Sequence, residues 1–216
     1  MSHLRKGVVR RRSQGPDDLY TSRAQDATQK KPWCVRIKVI SMGSLASGKS
    51  CLIKRYCEER FVSKWITTLG VDYGVRPVQV LGKQVRVNFW DMGGHPDFFE
   101  VRNEFYADSQ GGILVYAQDD RASFDELQDW VNEAAQFGAG GIPLIVCANK
   151  SDKERAVSRE EGLRWAQLRG YPYYETSAMS GANVGQVFNH LFEQVLQHTQ
   201  KKKGGGASSL SNSPMY

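Results

Sequence analysis

Two short runs in this chain have residue types and spacing that could do chemistry. The first, Gly43-Ser44-Leu45-Ala46-Ser47-Gly48-Lys49-Ser50, fits GxxxxGK[ST] and runs on into Cys51. Glycines let a backbone turn its N–H groups inward around phosphate oxygens, and the start of a following helix adds partial positive charge. Lys49 would place a cation on the β- and γ-phosphates, while the Ser50 hydroxyl would ligate Mg²⁺. Gly-rich strand-to-helix turns also occur without ligands, but here Lys and Ser stand in register.

The second run, Asn149-Lys150-Ser151-Asp152, follows the apolar stretch LIVCA. The Asp152 carboxylate could accept hydrogen bonds from both N1–H and the 2-amino group of guanine. Adenine offers neither donor and would leave a buried carboxylate unpaired, a discrimination on the order of several kcal/mol. Asn149 would brace the loop, and the Lys150 stem would lie along the purine. A four-residue match alone is weak. It gains force from lying roughly 100 residues beyond the phosphate loop, ahead of Thr176-Ser177-Ala178, where the Ala178 N–H would donate to guanine O6. Guanine nucleotide is the expected ligand, with ATP a remote second.

These motifs need elements to hold them. Val35–Met42 is a β-branched run with the look of a buried strand, and the phosphate loop follows at once. Cys51–Phe61 has helical spacing. Val75–Leu81 and Gln84–Trp90 are extended runs joined at Gly82-Lys83, with Pro77 favouring a sheet edge. The chain then alternates: strand 112–117, helix 123–137, strand 144–148, helix 158–168, strand 173–176, helix 184–196. Strands separated by helices of this length mean βαβ units, a mainly parallel sheet and helices on both faces. Ligands in such sheets sit at the carboxyl edge of the strands.

Composition agrees with one compact domain between tails. The 216 residues are 40% hydrophobic and 24% charged, enough to build a core. No uncharged apolar stretch reaches the roughly 20 residues of a membrane span, and the basic N-terminus lacks the apolar region of a secretory signal. The net charge of +6 is uneven. Residues 1–32 hold eight Lys/Arg against three Asp, and the tail from Gln197 adds Lys201, Lys202 and Lys203. That leaves 33–196 slightly acidic. The tails are expected to be solvated ends, not nucleic-acid or membrane-binding arms. Cys34, Cys51, Cys57 and Cys147 show no CxxC spacing and read as reduced, mostly buried thiols of a cytoplasmic protein. Three regions result: a disordered basic extension at 1–32, a folded domain at 33–200, and a flexible Lys/Gly/Ser tail at 201–216.

With these motifs in order, the chain resembles a Ras-superfamily small GTPase, and within it a Rab-like protein. Thr68-Leu69-Gly70-Val71-Asp72 is similar to the Rab effector-loop signature, and Trp90-Asp91-Met92-Gly93-Gly94 to the DxxG segment. The runs RIKVISMG, KRYCEERFVSK, GVDYG and DMGGHPDFFEVRNEFY resemble the RJL group, Rab-related proteins often fused to a J domain. A chain ending at Tyr216 leaves no room for such a domain, so no chaperone-cofactor activity is expected. The resemblance implies a P-loop NTPase small G domain with a six-stranded, mainly parallel sheet and one antiparallel edge strand. It further implies that Phe61 packs edge-on against guanine and Trp65 covers the phosphates. Thr68 would join Ser50 on Mg²⁺, Asp91 would hold a magnesium-bound water, and the Gly94 N–H would sense the γ-phosphate. Lys49, Thr68, Gly94 and His95 form the implied catalytic set.

Effectors would then bind through residues 65–74 and 93–106, alongside an exchange factor and an activating protein, to a monomeric switch. Loops held by the γ-phosphate and Mg²⁺ would release after hydrolysis. A cilium or flagellum, and the nucleus, are settings the resemblance admits beside the cytoplasm.

Three departures from the family pattern stand out. His95 replaces the Gln that orients the attacking water, and Pro96 biases it toward extended backbone, so intrinsic hydrolysis is expected to be slow. Translation-factor GTPases also use DxxGH, with a His that becomes competent when a partner docks, so stimulation stays open. Leu45 is expected to crowd an arginine finger, and Gly93 to loosen its loop. The last cysteine is Cys147 and the chain starts Met-Ser, so no lipid anchor is expected and any membrane role would be indirect. The competing reading is a constitutively GTP-loaded adaptor in a trafficking or ciliary complex. A nucleotide kinase would leave Asn149–Asp152 unexplained.

Overall fold

The computed structural model describes residues 34–61 and 67–205, with side chains to Lys202. The extension expected at 1–32, Trp65 and residues 206–216 lie outside the described residues. Six strands form one sheet: β1 (Val35–Met42), β2 (Val71–Val80), β3 (Lys83–Met92), β4 (Gly111–Ala117), β5 (Leu144–Asn149) and β6 (Tyr173–Glu175). Their order is β2-β3-β1-β4-β5-β6, with β2 antiparallel to β3 and every other pairing parallel. The edge position foreseen for Pro77 is met: it sits in β2, where a missing N–H costs no interior ladder bond.

Alternation along the strands builds two cores. Ile37, Val39, Phe89, Ile113, Val115, Ile145 and Cys147 face helices α1 (Lys49–Glu58) and α6 (Val184–Gly205). Their neighbours Ile40, Met42, Leu114, Tyr116, Val146 and Ala148 face the opposite layer. That layer holds α2 (Phe99–Asn103), α3 (Arg121–Asp125), α4 (Leu127–Ala134) and α5 (Arg159–Gln167). All seven residues of β4 are buried, as a strand covered by helices on both faces requires. Among the described residues no helix is long and apolar enough to cross a membrane.

The hairpin turn falls at Leu81-Gly82, one residue before the position expected from sequence. Val80 pairs with Lys83, and both turn residues adopt positive φ (48° and 72°), the two-residue geometry that follows the sheet's twist. β2 begins at Val71, four residues before the expected start, because its first residues pair with Trp90–Met92 across the ladder. α1 stops at Glu58, short of Phe61, where Glu59 turns left-handed (φ 57°) and its N–H bonds the Arg55 carbonyl at 3.1 Å. α6 continues past the expected end at Leu196 to Gly205, through the run expected to open the flexible tail. The cysteines are less buried than expected. Cys147 is buried, Cys51 and Cys57 are half-buried and Cys34 is exposed; all four are free.

Candidate nucleotide site

The carboxyl ends of β1, β3, β5 and β6 lie at one edge of the sheet, and the loops leaving them, with Phe61, Thr67 and Thr68, enclose a cleft of about 590 Å³. One end is the phosphate loop. Gly48 precedes α1 with φ 95°, and a Cβ there would collide with the Asn149 side-chain amide, so this position requires glycine. No side chain caps α1, which leaves its first N–H groups for a ligand.

Lys49 is almost fully buried. Its ammonium donates to the carbonyls of Gly43 (2.6 Å) and Ser44 (3.0 Å). Burial pulls its pKa from 10.5 down to about 8; Asp91 opposes that shift and Arg102 adds to it.

This depressed value has two consequences of opposite sign. Between pH 8 and 10.5 the unfolded chain binds more protons at this lysine than the folded one. Its contribution to ligand-free stability therefore rises with pH there. A phosphate ligand requires the ammonium, so binding must take up a proton once the pH passes 8. Triphosphate affinity is expected to be level below pH 7.5 and to fall by up to about tenfold over the unit above pH 8. A fluorescent-nucleotide titration at a series of pH values measures this.

Beside the lysine, three side-chain oxygens converge from three elements. The Ser50 and Thr68 hydroxyls are 2.8 Å apart, and the Thr68 hydroxyl donates to Asp91 Oδ2 at 3.5 Å. Asp91 is itself fixed by the Ser41 hydroxyl, which donates to Oδ1 at 2.7 Å. Hard oxygen donors of this kind suit Mg²⁺. Among the described residues no group of three His, Cys, Asp or Glu could hold a metal alone. A cation here would complete its shell with oxygens from outside the protein, of water or a phosphate.

Gly94 closes this end. A Cβ on it would meet Leu45 N and Ser44 C at 2.5 Å, so DxxG and phosphate loops touch through backbone. Gly93 is also tightly held, contrary to the looseness expected. Its N–H bonds the Gly70 carbonyl at 2.7 Å, and a Cβ would crowd the carbonyls of Gly70 and Thr68.

The other end is built by the loops after β5 and β6. The Asn149 amide donates to the Ser47 carbonyl at 2.9 Å, which ties this loop to the phosphate loop. Thr176, a brace the motif reading left out of the site, donates to Asn149 Oδ1 at 3.3 Å. The Ser177 hydroxyl donates to Asp152 Oδ1, leaving Oδ2 for a ligand. Lys150, at φ 63°, has its ammonium 3.3 Å from Asp119 Oδ1. Ala178 lines the cleft, and Phe61 stands at its side, 39% exposed.

The structure therefore brings together Leu45, Ala46, Gly48, Lys49, Ser50, Cys51, Phe61, Thr68, Gly94, Asn149, Lys150, Asp152 and Ala178 around one cleft. Ser44, Ser47, Asp91 and Ser177 stand behind the lining and hold it. Lys54, Thr67, Lys153 and Met179 also line it and were not singled out from sequence. Adjacency to the motifs was the available signal.

His95 does not line the cleft. Its backbone is extended (φ −76°, ψ 140°), as Pro96 dictates, and its Nδ1 accepts the Asp97 N–H at 3.3 Å to cap the 3₁₀ turn Pro96–Phe98.

The sequence matches the Ras family pattern over residues 38–197. The chain belongs to the Ras family. It is 48% identical over 189 residues to DnaJ homolog subfamily C member 27 of Rattus norvegicus, covering 84% of this chain and 68% of that protein. The Danio rerio protein of that name is 51% identical over 168 residues, covering 74% and 62%. The Homo sapiens protein is 47% identical over 186 residues, covering 83% and 67%. The chain thus spans about two thirds of the length of these relatives. The chain is thus a small GTPase, a group whose members in general bind GTP and GDP with Mg²⁺, hydrolyse GTP, and work with effectors, exchange factors and activating proteins.

Proposed function

We propose that this Ras-family chain is a Rab-like guanine-nucleotide switch of the RJL group that hydrolyses GTP slowly on its own. The observation that carries the reading is the meeting of the Ser50, Thr68 and Asp91 oxygens at the end of a cleft whose other end presents the free oxygen of Asp152. Similarity to DnaJ homolog subfamily C member 27 supports the RJL placement.

In this reading Asp152 selects guanine, Ala178 donates to O6, and Phe61 packs against the ring. Lys49 and the first N–H groups of α1 bind the phosphates. Ser50 and Thr68 would hold Mg²⁺, with Asp91 holding a water on it, and the ion would supply neutralisation of phosphate charge. Thr68 and Gly94 follow the γ-phosphate, so residues 93–106 and the described part of 65–74, residues 67–74, are ordered for an effector in the GTP state and released in the GDP state.

Slow hydrolysis follows from His95. An imidazole that caps its own turn lies outside the cleft and offers no group to the attacking water. His95→Gln is expected to raise the single-turnover rate at least about tenfold, a fraction of the roughly 100-fold or more that a well-positioned group contributes. A His95→Gln rate no faster than that of the parent chain removes this explanation.

The turn-capping role of His95 also favours a second reading, an adaptor that stays GTP-loaded with negligible turnover. Nucleotide content of the purified chain, followed by partner binding in the GDP and GTP forms, separates the two. Binding confined to the GTP form supports the switch, and equal binding in both supports the adaptor.

A further inference from the structure

Behind the cleft, one helical face grips both phosphate-facing loops through polar side chains. Glu126, at the joint between α3 and α4, and Trp130 and Glu133 on α4 are spaced i, i+4, i+7, so they share a face. Glu126 accepts a hydrogen bond from the Ser44 hydroxyl, and the Trp130 N–H donates to that hydroxyl at 3.4 Å. One turn on, Glu133 takes a two-pronged hydrogen bond from Arg102 of α2, Nε to Oε1 at 2.5 Å and Nη2 to Oε2 at 2.8 Å. The Tyr106 hydroxyl donates to the same Oε1 at 2.8 Å, and the guanidinium lies 4.5 Å over the Trp130 ring. Arg102 and Glu133 side chains are only 6% and 12% exposed.

The remaining guanidinium nitrogen reaches the loop. Arg102 Nη1 donates to the His95 carbonyl at 3.0 Å and approaches the Gly93 carbonyl at 3.5 Å, the two carbonyls that bracket Gly94. A trans peptide sets its C=O and N–H in opposite directions in one plane. Drawing the Gly93 carbonyl toward Arg102 therefore turns the Gly94 N–H away from it.

We propose that Arg102, fixed by Glu133, is a positioning residue that orients the Gly94 N–H and so couples recognition of a terminal phosphate to the α4 face that also holds Ser44. This rests on the reading of the cleft as a GTP site. A buried ion pair is poor support for stability, since apolar residues of similar volume often replace such pairs without loss. What a bidentate guanidinium adds is direction. Tyr106 reflects the same enclosure, with burial and the neighbouring Glu133 carboxylate driving its phenol well above the usual range.

The test compares binding of GDP and a non-hydrolysable GTP analogue to the full chain. Arg102→Lys keeps the charge and loses the fork. It is expected to weaken the GTP analogue tenfold or more while GDP changes less than twofold, and Glu133→Gln shifts the ratio in the same direction. The pair Arg102→Met with Glu133→Leu is expected to restore thermal stability without restoring the preference for the GTP analogue. A parallel loss of both nucleotides in Arg102→Lys overturns the proposal, as does a wild-type ratio in the apolar pair. Should the apolar pair fail to fold, Arg102→Lys decides alone. Failure of the unmodified chain to bind either nucleotide defeats the cleft reading itself, and the proposal with it.

Discussion

Asp152→Asn is expected to turn the cleft away from guanine and toward xanthine. Asp152 lines the cleft with one oxygen accepting from the Ser177 hydroxyl, which leaves the other for a ligand. Guanine offers that carboxylate two donors, N1–H and the 2-amino group. An amide there presents either a neutral oxygen or an N–H that confronts those donors. Each charge-assisted hydrogen bond lost costs about 1.5–3 kcal/mol, and an unpaired buried donor adds to it. GTP affinity should fall by roughly 100-fold or more. Xanthine carries a carbonyl where guanine carries the 2-amino group, so the asparagine amide can donate to it and xanthosine triphosphate should bind in GTP's place. Competition of the two nucleotides against a fluorescent ligand measures both changes. Loss of both ligands would mean a damaged loop, and unchanged GTP affinity would mean Asp152 does not read the base.

Gly94→Ala has the second largest expected effect, and it acts at the opposite end. A Cβ on Gly94 would stand 2.5 Å from Leu45 N and Ser44 C, with the Gly43 carbonyl at 2.7 Å. All three are backbone atoms of the phosphate loop, which Lys49 and the Asn149 amide hold in place. The DxxG loop must therefore retreat, and its N–H retreats with it. Affinity for a GTP analogue is expected to drop at least tenfold while GDP, which has no γ-phosphate, binds within about threefold of the parent; a single charge-assisted hydrogen bond accounts for that difference. Equal retention of both nucleotides would show that the close approach of the two loops carries no recognition.

The doubly wound sheet and most of the lining residues could be read from the sequence because their signals are local. Strand alternation, GxxxxGKS and Asn149–Asp152 each specify backbone geometry over a few residues. What escaped depends on partners far along the chain. The early start of β2 at Val71 is set by pairing with Met92, not by any preference of Val71 itself. Gly93 read as loose because glycine stands where alanine is usual in the family, yet it is pinned by Gly70, 23 residues earlier. Glu126, Glu133 and Arg102 look like residues of a solvated face until the fold sets them against Ser44 and the His95 carbonyl. His95 was singled out for chemistry by its position after Gly94. The adjoining Pro96 instead starts a 3₁₀ turn that His95 caps.

Parallel titration of the nucleotide-stripped chain with GTP and ATP in the presence of Mg²⁺ tests the central claim most directly. A cleft with Asp152 at one end and Lys49 at the other should take GTP at least about 100-fold more tightly than ATP. Equal affinity for the two, tighter binding of ATP, or saturation by neither would contradict it.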